Sequence, residues 1–83
     1  MKVKLKYFAS IREAIGQGSE ELLTQASTMA QLRAELIAQG QPYADCLAEG
    51  KAVRMALDQQ LVEPSAALHD GCEVAFFPPV TGG

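Results

Sequence analysis

The residues best suited to do chemistry are the two glycines that end the sequence, Gly82 and Gly83. A terminal carboxylate next to residues without side chains can thread a narrow channel and adopt the backbone angles that a partner imposes. The carboxylate itself is a poor electrophile. Transfer of AMP from ATP would convert it into an acyl-adenylate that a sulfur nucleophile or an amine could attack. We therefore expect Gly83 to be the reacting residue, with no cofactor bound by this chain and with ATP used by an activating partner.

The residues before the glycines predict an arm that could carry them. Pro78 and Pro79 cannot extend the hydrogen-bond ladder of a sheet, so the last strand should end near Phe77. At about 3.3 Å per residue, residues 78–83 could reach roughly 20 Å from the domain. The sequence thus predicts a folded domain, residues 1–77, and a flexible tail, residues 78–83. The residues expected to insert into a partner with Gly83 are Pro78, Pro79, Val80, Thr81 and Gly82.

Other kinds of reactive site find little support in the sequence. There is no glycine-rich phosphate loop, and His69 is predicted to lie alone in a turn. Cys46 and Cys72 are 26 residues apart and form no C-x-x-C motif, which favours two buried free thiols over a zinc site or a disulfide. No metal site is expected, and an enzyme that works alone is disfavoured.

Length and composition set the class of protein. The chain has 83 residues, of which 48% are hydrophobic and 20% charged, as in a single small globular domain. A net charge of −3 creates no positive field for nucleic acid. The opening M-K-V-K-L-K-Y-F lacks the continuous apolar run of a signal peptide, and no window has the length of a membrane span. We expect a cytoplasmic protein with neither nucleic acid nor membrane as a partner.

Hydrophobic periodicity predicts five strands and one main helix. The predicted strands are residues 2–8, 20–24, 53–57, 61–62 and 72–77. The predicted helices are a short one over residues 10–16, the main one over residues 29–39, and one helical turn within residues 41–50. A hairpin followed by a helix and further strands gives a two-layer α+β domain. Among the topologies that share this order we favour the ubiquitin-like β-grasp, a mixed sheet packed on one main helix with the first and last strands as parallel central neighbours.

Capping signals locate the helix ends. Thr28 is predicted to cap the main helix, with Gln31 completing a capping box and Gly40 at the stop. Ser10 is predicted to cap the short helix, which Gly16 would end.

Strand alternation predicts an apolar patch on the outer face of the sheet. In the first strand Val3, Leu5 and Tyr7 share one face, whereas Phe8 shares the other with the lysines. In the last strand Phe77 falls on the outer face, where a monomer would favour polar side chains. Two outward aromatic residues on adjacent strands indicate a partner interface, to which Leu61 could contribute. A helix or loop covering them within the monomer is the alternative.

The tail and several other segments resemble one known family. The ending F-F-P-P-V-T-G-G, directly after D-G-C-E-V-A, resembles the end of the small subunit of molybdopterin synthase, the MoaD family. The opening K-V-K-L-K-Y-F-A-S-I-R-E-A-I-G and the later L-D-Q-Q-L-V are also similar to that family. The resemblance covers essentially the whole chain.

This resemblance implies a β-grasp sulfur carrier. Its terminal glycine, here Gly83, would be adenylated by an enzyme similar to ubiquitin-activating enzymes and converted to a thiocarboxylate with sulfur from a persulfide protein. The large synthase subunit would bind cyclic pyranopterin monophosphate, receive the tail and supply the catalytic side chains for dithiolene formation. Two loaded carriers would be consumed per product, and the complex would be a heterotetramer. The family also implies Phe8, Leu61 and Phe77 as the interface.

Three other functions stay open. A carrier for thiazole synthesis in the thiamine pathway shares the Gly-Gly end, although such carriers are typically shorter and lack F-F-P-P-V-T. A protein modifier would join Gly83 to a lysine amine of a target through the same acyl-adenylate. An interaction domain with an inert tail would lose no function without Gly83.

Overall fold

A five-stranded mixed sheet organises the chain. The computed structural model describes residues 1–79, and the predictions for Val80, Thr81, Gly82 and Gly83 lie outside the described residues. The strands are β1 (Lys2–Tyr7), β2 (Ser19–Leu23), β3 (Arg54–Leu57), β4 (Gln60–Leu61) and β5 (Glu73–Phe77). The helices are α1 (Ala9–Ile15), α2 (Met29–Ala38) and α3 (Tyr43–Cys46). Every predicted element is therefore present, with bounds that differ by one or two residues.

The strand order β2-β1-β5-β3-β4 confirms the predicted fold. β1 and β5 lie at the centre and pair in parallel, whereas β1–β2, β3–β5 and β3–β4 are antiparallel. This is a mixed sheet with helices packed on one face, the ubiquitin-like β-grasp.

One hydrophobic core lies between the sheet and α2. The apolar stripe of α2 packs against the inward side chains of the two central strands. Tyr7 and Phe76 stack at the middle of this layer, with ring centroids 6.3 Å apart and an interplanar angle of 17°. The fully buried large side chains are Val3, Leu5, Tyr7, Met29, Leu32, Leu36, Leu47, Cys72, Val74 and Phe76.

The two ends of α2 are formed largely as predicted. Thr28 has an extended backbone, and its hydroxyl accepts a hydrogen bond from the N–H of Gln31 at 3.2 Å. The Gln31 side chain reaches back to Ser27, accepting from its N–H and its hydroxyl at 2.8 Å each, so the reciprocal half of the capping box falls one residue earlier than predicted. Gly40 follows the helix with φ of +90°, the left-handed conformation that glycine adopts at little cost.

The start of α1 differs from the prediction. The N-cap is Phe8, with no side-chain hydrogen bond, and Ser10 lies inside the helix. The carbonyl of Phe8 accepts from the N–H groups of Ile11 and Arg12, so the backbone begins the helix before Ser10 could cap it. Gly16 ends the helix as predicted, with φ of +89° and its N–H donating to the Arg12 carbonyl.

A carboxylate links three elements through two tyrosines. Tyr7 and Tyr43 donate their hydroxyl hydrogens to the same Glu20 oxygen at 2.7 and 2.6 Å, which joins β1, β2 and α3. Burial and the hydrogen bond to Glu20 raise the pKa of Tyr7. The hydrogen bond to Glu20, and then burial, raise the pKa of Tyr43 to about 12. Both hydroxyls are therefore protonated donors at neutral pH.

The two cysteines are free, as predicted, but they differ in burial. Cys72 is fully buried beside β5, whereas Cys46 is only half-buried, because the short helix α3 lies at the margin of the core. Burial still raises the pKa of Cys46, which disfavours its thiolate form. Within residues 1–79, no helix is both long enough and apolar enough to cross a membrane.

Arg33 is a buried cation that the sequence pattern did not single out. Its Nε donates to the Leu47 carbonyl at 2.8 Å, and its Nη2 donates to the carbonyls of Ala48 and Lys51 at 2.7 and 3.3 Å. These carbonyls belong to the end of α3 and the turn that follows it. One planar guanidinium on α2 thus satisfies three backbone acceptors of a segment in which Leu47 is the one fully buried side chain.

Replacing Arg33 should destabilise the fold through these carbonyls. We expect Arg33→Met to lower the free energy of unfolding by about 2–3 kcal/mol, because buried acceptors lose charge-assisted hydrogen bonds without a substitute. Urea denaturation measures the change. Arg54→Met, a change at an exposed arginine on β3, is the control and should stay within about 0.5 kcal/mol of the native protein. Equal effects of the two variants would contradict the role of Arg33.

Candidate functional site: the outer-face patch and the start of the tail

The last strand ends where the prolines were expected to end it. β5 stops at Phe77, and Pro78 and Pro79 follow without regular secondary structure, both half-buried. Phe77 is the last residue of a central strand, since β5 lies between β1 and β3. The chain therefore leaves the sheet at its central strand.

Two aromatic residues flank this exit on the outer face of the sheet. Tyr7 is paired with Phe76, and the next residue on each strand, Phe8 and Phe77, points to the opposite side. The backbone of Phe8 is still extended, with φ −132° and ψ 155°, and its N–H donates to the Phe76 carbonyl at 3.2 Å. Phe8 is 47% exposed and Phe77 is half-buried.

Leu61 lies on the same face, two strands away. Leu61 is the register partner of Ala56, and Ala56 is the partner of Ala75 on β5. This row crosses three strands at roughly 4.8 Å per strand. The two alanines are each 8% exposed, whereas Leu61 is 68% exposed. We name Phe8, Leu61 and Phe77 the outer-face patch, and Ala56 and Ala75 form a low floor between its members.

Charged groups surround the patch on the same face. Lys6 forms an ion pair with Glu73 at 3.7 Å, and Arg54 is the register partner of Phe77. Farther out, Lys2 pairs with Glu21 at 3.2 Å. All are exposed or half-buried, so they contribute little to stability. An apolar centre with a charged rim is the composition of a protein-binding surface.

A tight turn holds β4, the strand that carries Leu61. Asp58 and Gln59 connect β3 to β4 with positive φ angles of 49° and 71°, the pattern of a two-residue hairpin loop of the primed type. The N–H of Asp58 donates to the Glu73 carbonyl at 2.9 Å, and its carboxylate accepts from the Glu73 N–H at 3.0 Å. The turn is thereby fastened to the start of β5.

His69 is not alone, in contrast to the prediction. Its Nε2 lies 2.7 Å from Oδ2 of Asp58, so the ring donates to the carboxylate. This hydrogen bond, and then the Asp70 carbonyl next to the ring, raise the pKa of His69. The Glu73 N–H and then His69 lower the pKa of Asp58. The sequence could not show this pair, because its members are 11 positions apart and the residues between them form a strand and a loop of no regular period.

Among residues 1–79, no group of three or more histidine, cysteine, aspartate or glutamate side chains is arranged to hold a metal ion. What the described part of the chain presents is an apolar patch beside the point where the chain leaves the sheet.

Comparison with protein families assigns the chain. A model described as the ThiS family matches residues 5–83, which includes both glycines at the end. The chain belongs to the ThiS family. This agrees with the sulfur-carrier resemblance inferred from the sequence.

Similar proteins bear two kinds of name. The molybdopterin synthase sulfur carrier subunit of Escherichia coli K12 is 42% identical to this ThiS-family chain over 98% of the chain and 99% of that protein. Small archaeal modifier protein 3 of Haloferax volcanii is 34% identical, over the full length of both proteins. The resemblance to molybdopterin synthase small subunits is thus confirmed at the level of the whole chain.

Solved structures of similar proteins share the fold. The Haloferax volcanii HVO 2177 protein superposes with a TM-score of 0.80 at 30% identity, covering all of this chain and 87% of that one. A chain from the complex of subunits 1 and 2 of the molybdopterin-converting factor from Helicobacter pylori superposes with a TM-score of 0.67 at 26% identity, over the full length of both. That structure shows a protein of this fold assembled with a partner subunit.

The patch should be dispensable for folding. We expect Leu61→Ser to change the free energy of unfolding by no more than about 0.5 kcal/mol, because the side chain is largely exposed. The matched change Leu32→Ser, in the core, should cost at least about 2–5 kcal/mol. Urea denaturation distinguishes the two. A large loss of stability from Leu61→Ser would mean that Leu61 supports the fold and is not free to bind a partner.

Proposed function

We propose that this chain is the sulfur carrier subunit of a molybdopterin synthase and that Gly83 is the residue that carries the sulfur. The observation that carries the proposal is the position of the outer-face patch beside the residue from which the predicted tail departs. A large subunit that covers the patch would receive the tail in a fixed direction. The near full-length similarity to the Escherichia coli carrier and the fold shared with a subunit of the Helicobacter pylori complex support the assignment.

Loading requires two partners. An adenylyltransferase similar to ubiquitin-activating enzymes transfers AMP from ATP to the Gly83 carboxylate and releases pyrophosphate. The terminal sulfur of a persulfide protein then attacks the acyl carbon and displaces AMP, forming an acyl disulfide. A thiol reduces this disulfide, which leaves the thiocarboxylate on Gly83 and a disulfide on the donor side. This chain supplies the acyl group, and the partners supply ATP, sulfur and electrons.

Transfer requires the large subunit. The thiocarboxylate sulfur attacks a carbon of cyclic pyranopterin monophosphate and displaces an oxygen substituent from that carbon. Water then hydrolyses the resulting thioester, which restores the Gly83 carboxylate and leaves the sulfur on the pterin product. Two rounds provide the two sulfurs of the dithiolene, consistent with a heterotetramer that holds two carriers. The catalytic side chains belong to the large subunit. Residues Pro78 to Gly82 insert into that subunit and position the reacting group of Gly83. Cytoplasmic location also stays a prediction.

A second function is supported by one relative. The similarity to small archaeal modifier protein 3 favours a protein modifier, in which a target lysine attacks the same acyl-adenylate. The fold serves either outcome, because both need only a presented and activated carboxylate. A thiamine-pathway carrier is less favoured, since the Escherichia coli relative is named for molybdopterin synthase.

Deleting Gly83 should abolish sulfur loading. Intact mass spectrometry of the protein purified from cells that contain its activating system should show a species heavier by one exchange of oxygen for sulfur, and the variant without Gly83 should lack it. Slower-migrating conjugates bearing a Gly-Gly remnant on lysines, with no sulfur-loaded form, would favour the modifier. If neither species forms, the chain is an interaction domain.

Changing the patch should weaken docking. We expect Phe8→Ser and Leu61→Ser each to weaken binding to the Escherichia coli large subunit by about tenfold or more, because exposed apolar anchors carry much of the binding energy at interfaces. Leu23→Ser is the matched control, since Leu23 is exposed on β2 at the other edge of the sheet. Titration calorimetry measures the affinities. Similar losses for Leu23→Ser and Leu61→Ser would refute a role specific to the patch.

A further inference from the structure

The Asp58–His69 pair lies where it can control the strand that bears Leu61. Asp58 begins the turn between β3 and β4, and Leu61 follows it by three residues. β4 is held by two register pairs with β3 and by one further hydrogen bond, from the Val62 N–H to the Met55 carbonyl at 3.3 Å. So short a strand depends on its turn for its position.

The turn itself is costly without support. Asp58 and Gln59 both adopt positive φ, which residues other than glycine rarely do. The two oxygens of the Asp58 carboxylate are each engaged, one by the Glu73 N–H and one by His69. The carboxylate thereby ties the turn both to β5 and to the loop before β5, and these contacts offset the backbone strain.

The surroundings of the His69 ring favour its protonated form. Nε2 faces the Asp58 carboxylate and Nδ1 lies 3.3 Å from the Asp70 carbonyl, so both ring nitrogens face oxygen acceptors. A neutral imidazole has one N–H and can satisfy only one acceptor, whereas the imidazolium can donate to both. The remaining charged groups nearby are engaged elsewhere. The Asp70 carboxylate accepts from the Lys2 N–H, and the Glu73 carboxylate pairs with Lys6.

We propose that Asp58 and His69 form a pH-responsive clasp that positions Leu61 for the partner subunit. Neither residue contacts the partner in this proposal. Both act through the turn, as positioning residues. The effect of the clasp on binding of the partner subunit rests on the proposed function, whereas its effect on the position of β4 does not.

The direction of the pH dependence follows from the two groups. The pKa of His69 is raised in the folded protein. The stabilisation that the protonated ring gives to the turn is therefore complete below the ordinary pKa of about 6.5 and is lost as pH rises through the folded pKa. The pKa of Asp58 is lowered in the folded protein. The stabilisation that its ionised carboxylate gives to the turn is therefore present above about pH 4 and is lost as pH falls through the folded pKa. The clasp is therefore tightest between about pH 4 and 6.5.

The first measurement uses the carrier alone. Hydrogen exchange of the Val62 amide, expressed as a protection factor, should fall by about two- to threefold from pH 6 to pH 8 in the native protein, a factor in the range of exposed ion pairs. His69→Gln keeps a polar side chain that does not titrate, and Asp58→Asn keeps a residue that tolerates positive φ. Both variants should show a flat profile. Asp70→Asn changes a neighbouring carboxylate outside the clasp and should retain the pH response.

The second measurement is binding to the Escherichia coli large subunit. The affinity of the native carrier, divided by that of His69→Gln at the same pH, should decrease by about two- to threefold between pH 6 and pH 8, and this ratio cancels the partner's own titration. A protection factor of Val62 that is independent of pH and of His69 would overturn the clasp. A responsive protection factor with a constant affinity ratio would overturn its effect on docking. Absence of binding at every pH would instead refute the proposed function, and Val62 would still decide whether the clasp exists.

Discussion

The parallel pairing of β1 with β5 is the constraint on which the rest of the structure depends. It brings the first and last strands together at the centre of the sheet and points their carboxyl ends in the same direction. Tyr7 and Phe76 stack in the core at this position, so the following residues, Phe8 and Phe77, must both face outward. A register shift of one residue would turn Phe76 outward and Phe77 inward. The same pairing that fills the core therefore creates the patch and places it where the chain leaves the sheet.

Polar contacts position the segment that has few side chains in the hydrophobic core. Residues 39–53 contribute few buried side chains, yet Arg33 binds three carbonyls there and Tyr43 reaches Glu20 on β2. No buried side-chain nitrogen or oxygen in the described part of the chain lacks a partner. A domain of this size has one small core and therefore little stability to spare. Each buried polar group without a hydrogen bond would lower that stability, so it matters that all of them are paired.

The sequence predicted the elements and the parallel pairing of the two central strands, but not the polar side-chain contacts between residues far apart in the chain. Alternation in residues 2–8 and 72–77 was sufficient to place Phe8 and Phe77 on the outer face, and glycine chemistry placed Gly16 and Gly40 at helix ends. Ser10 failed as a cap because the Phe8 carbonyl, positioned by the end of β1, begins the helix first. The Asp58–His69 and Arg33–Leu47 contacts depend on where strands and loops meet in space. Such contacts are set by the topology of the fold and produce no periodic pattern in the sequence.

The size of the patch bears on how a carrier could exchange between partners. A stable interface buries about 800 Å² on each partner, more than three side chains provide. Under the proposed function, the residues after Phe77 must therefore supply much of the remaining contact. Under the same proposed function, the chain must leave its activating enzyme before it meets the large subunit, because one Gly83 cannot occupy two active sites. A patch of three side chains therefore suits exchange between successive partners better than a broad interface would.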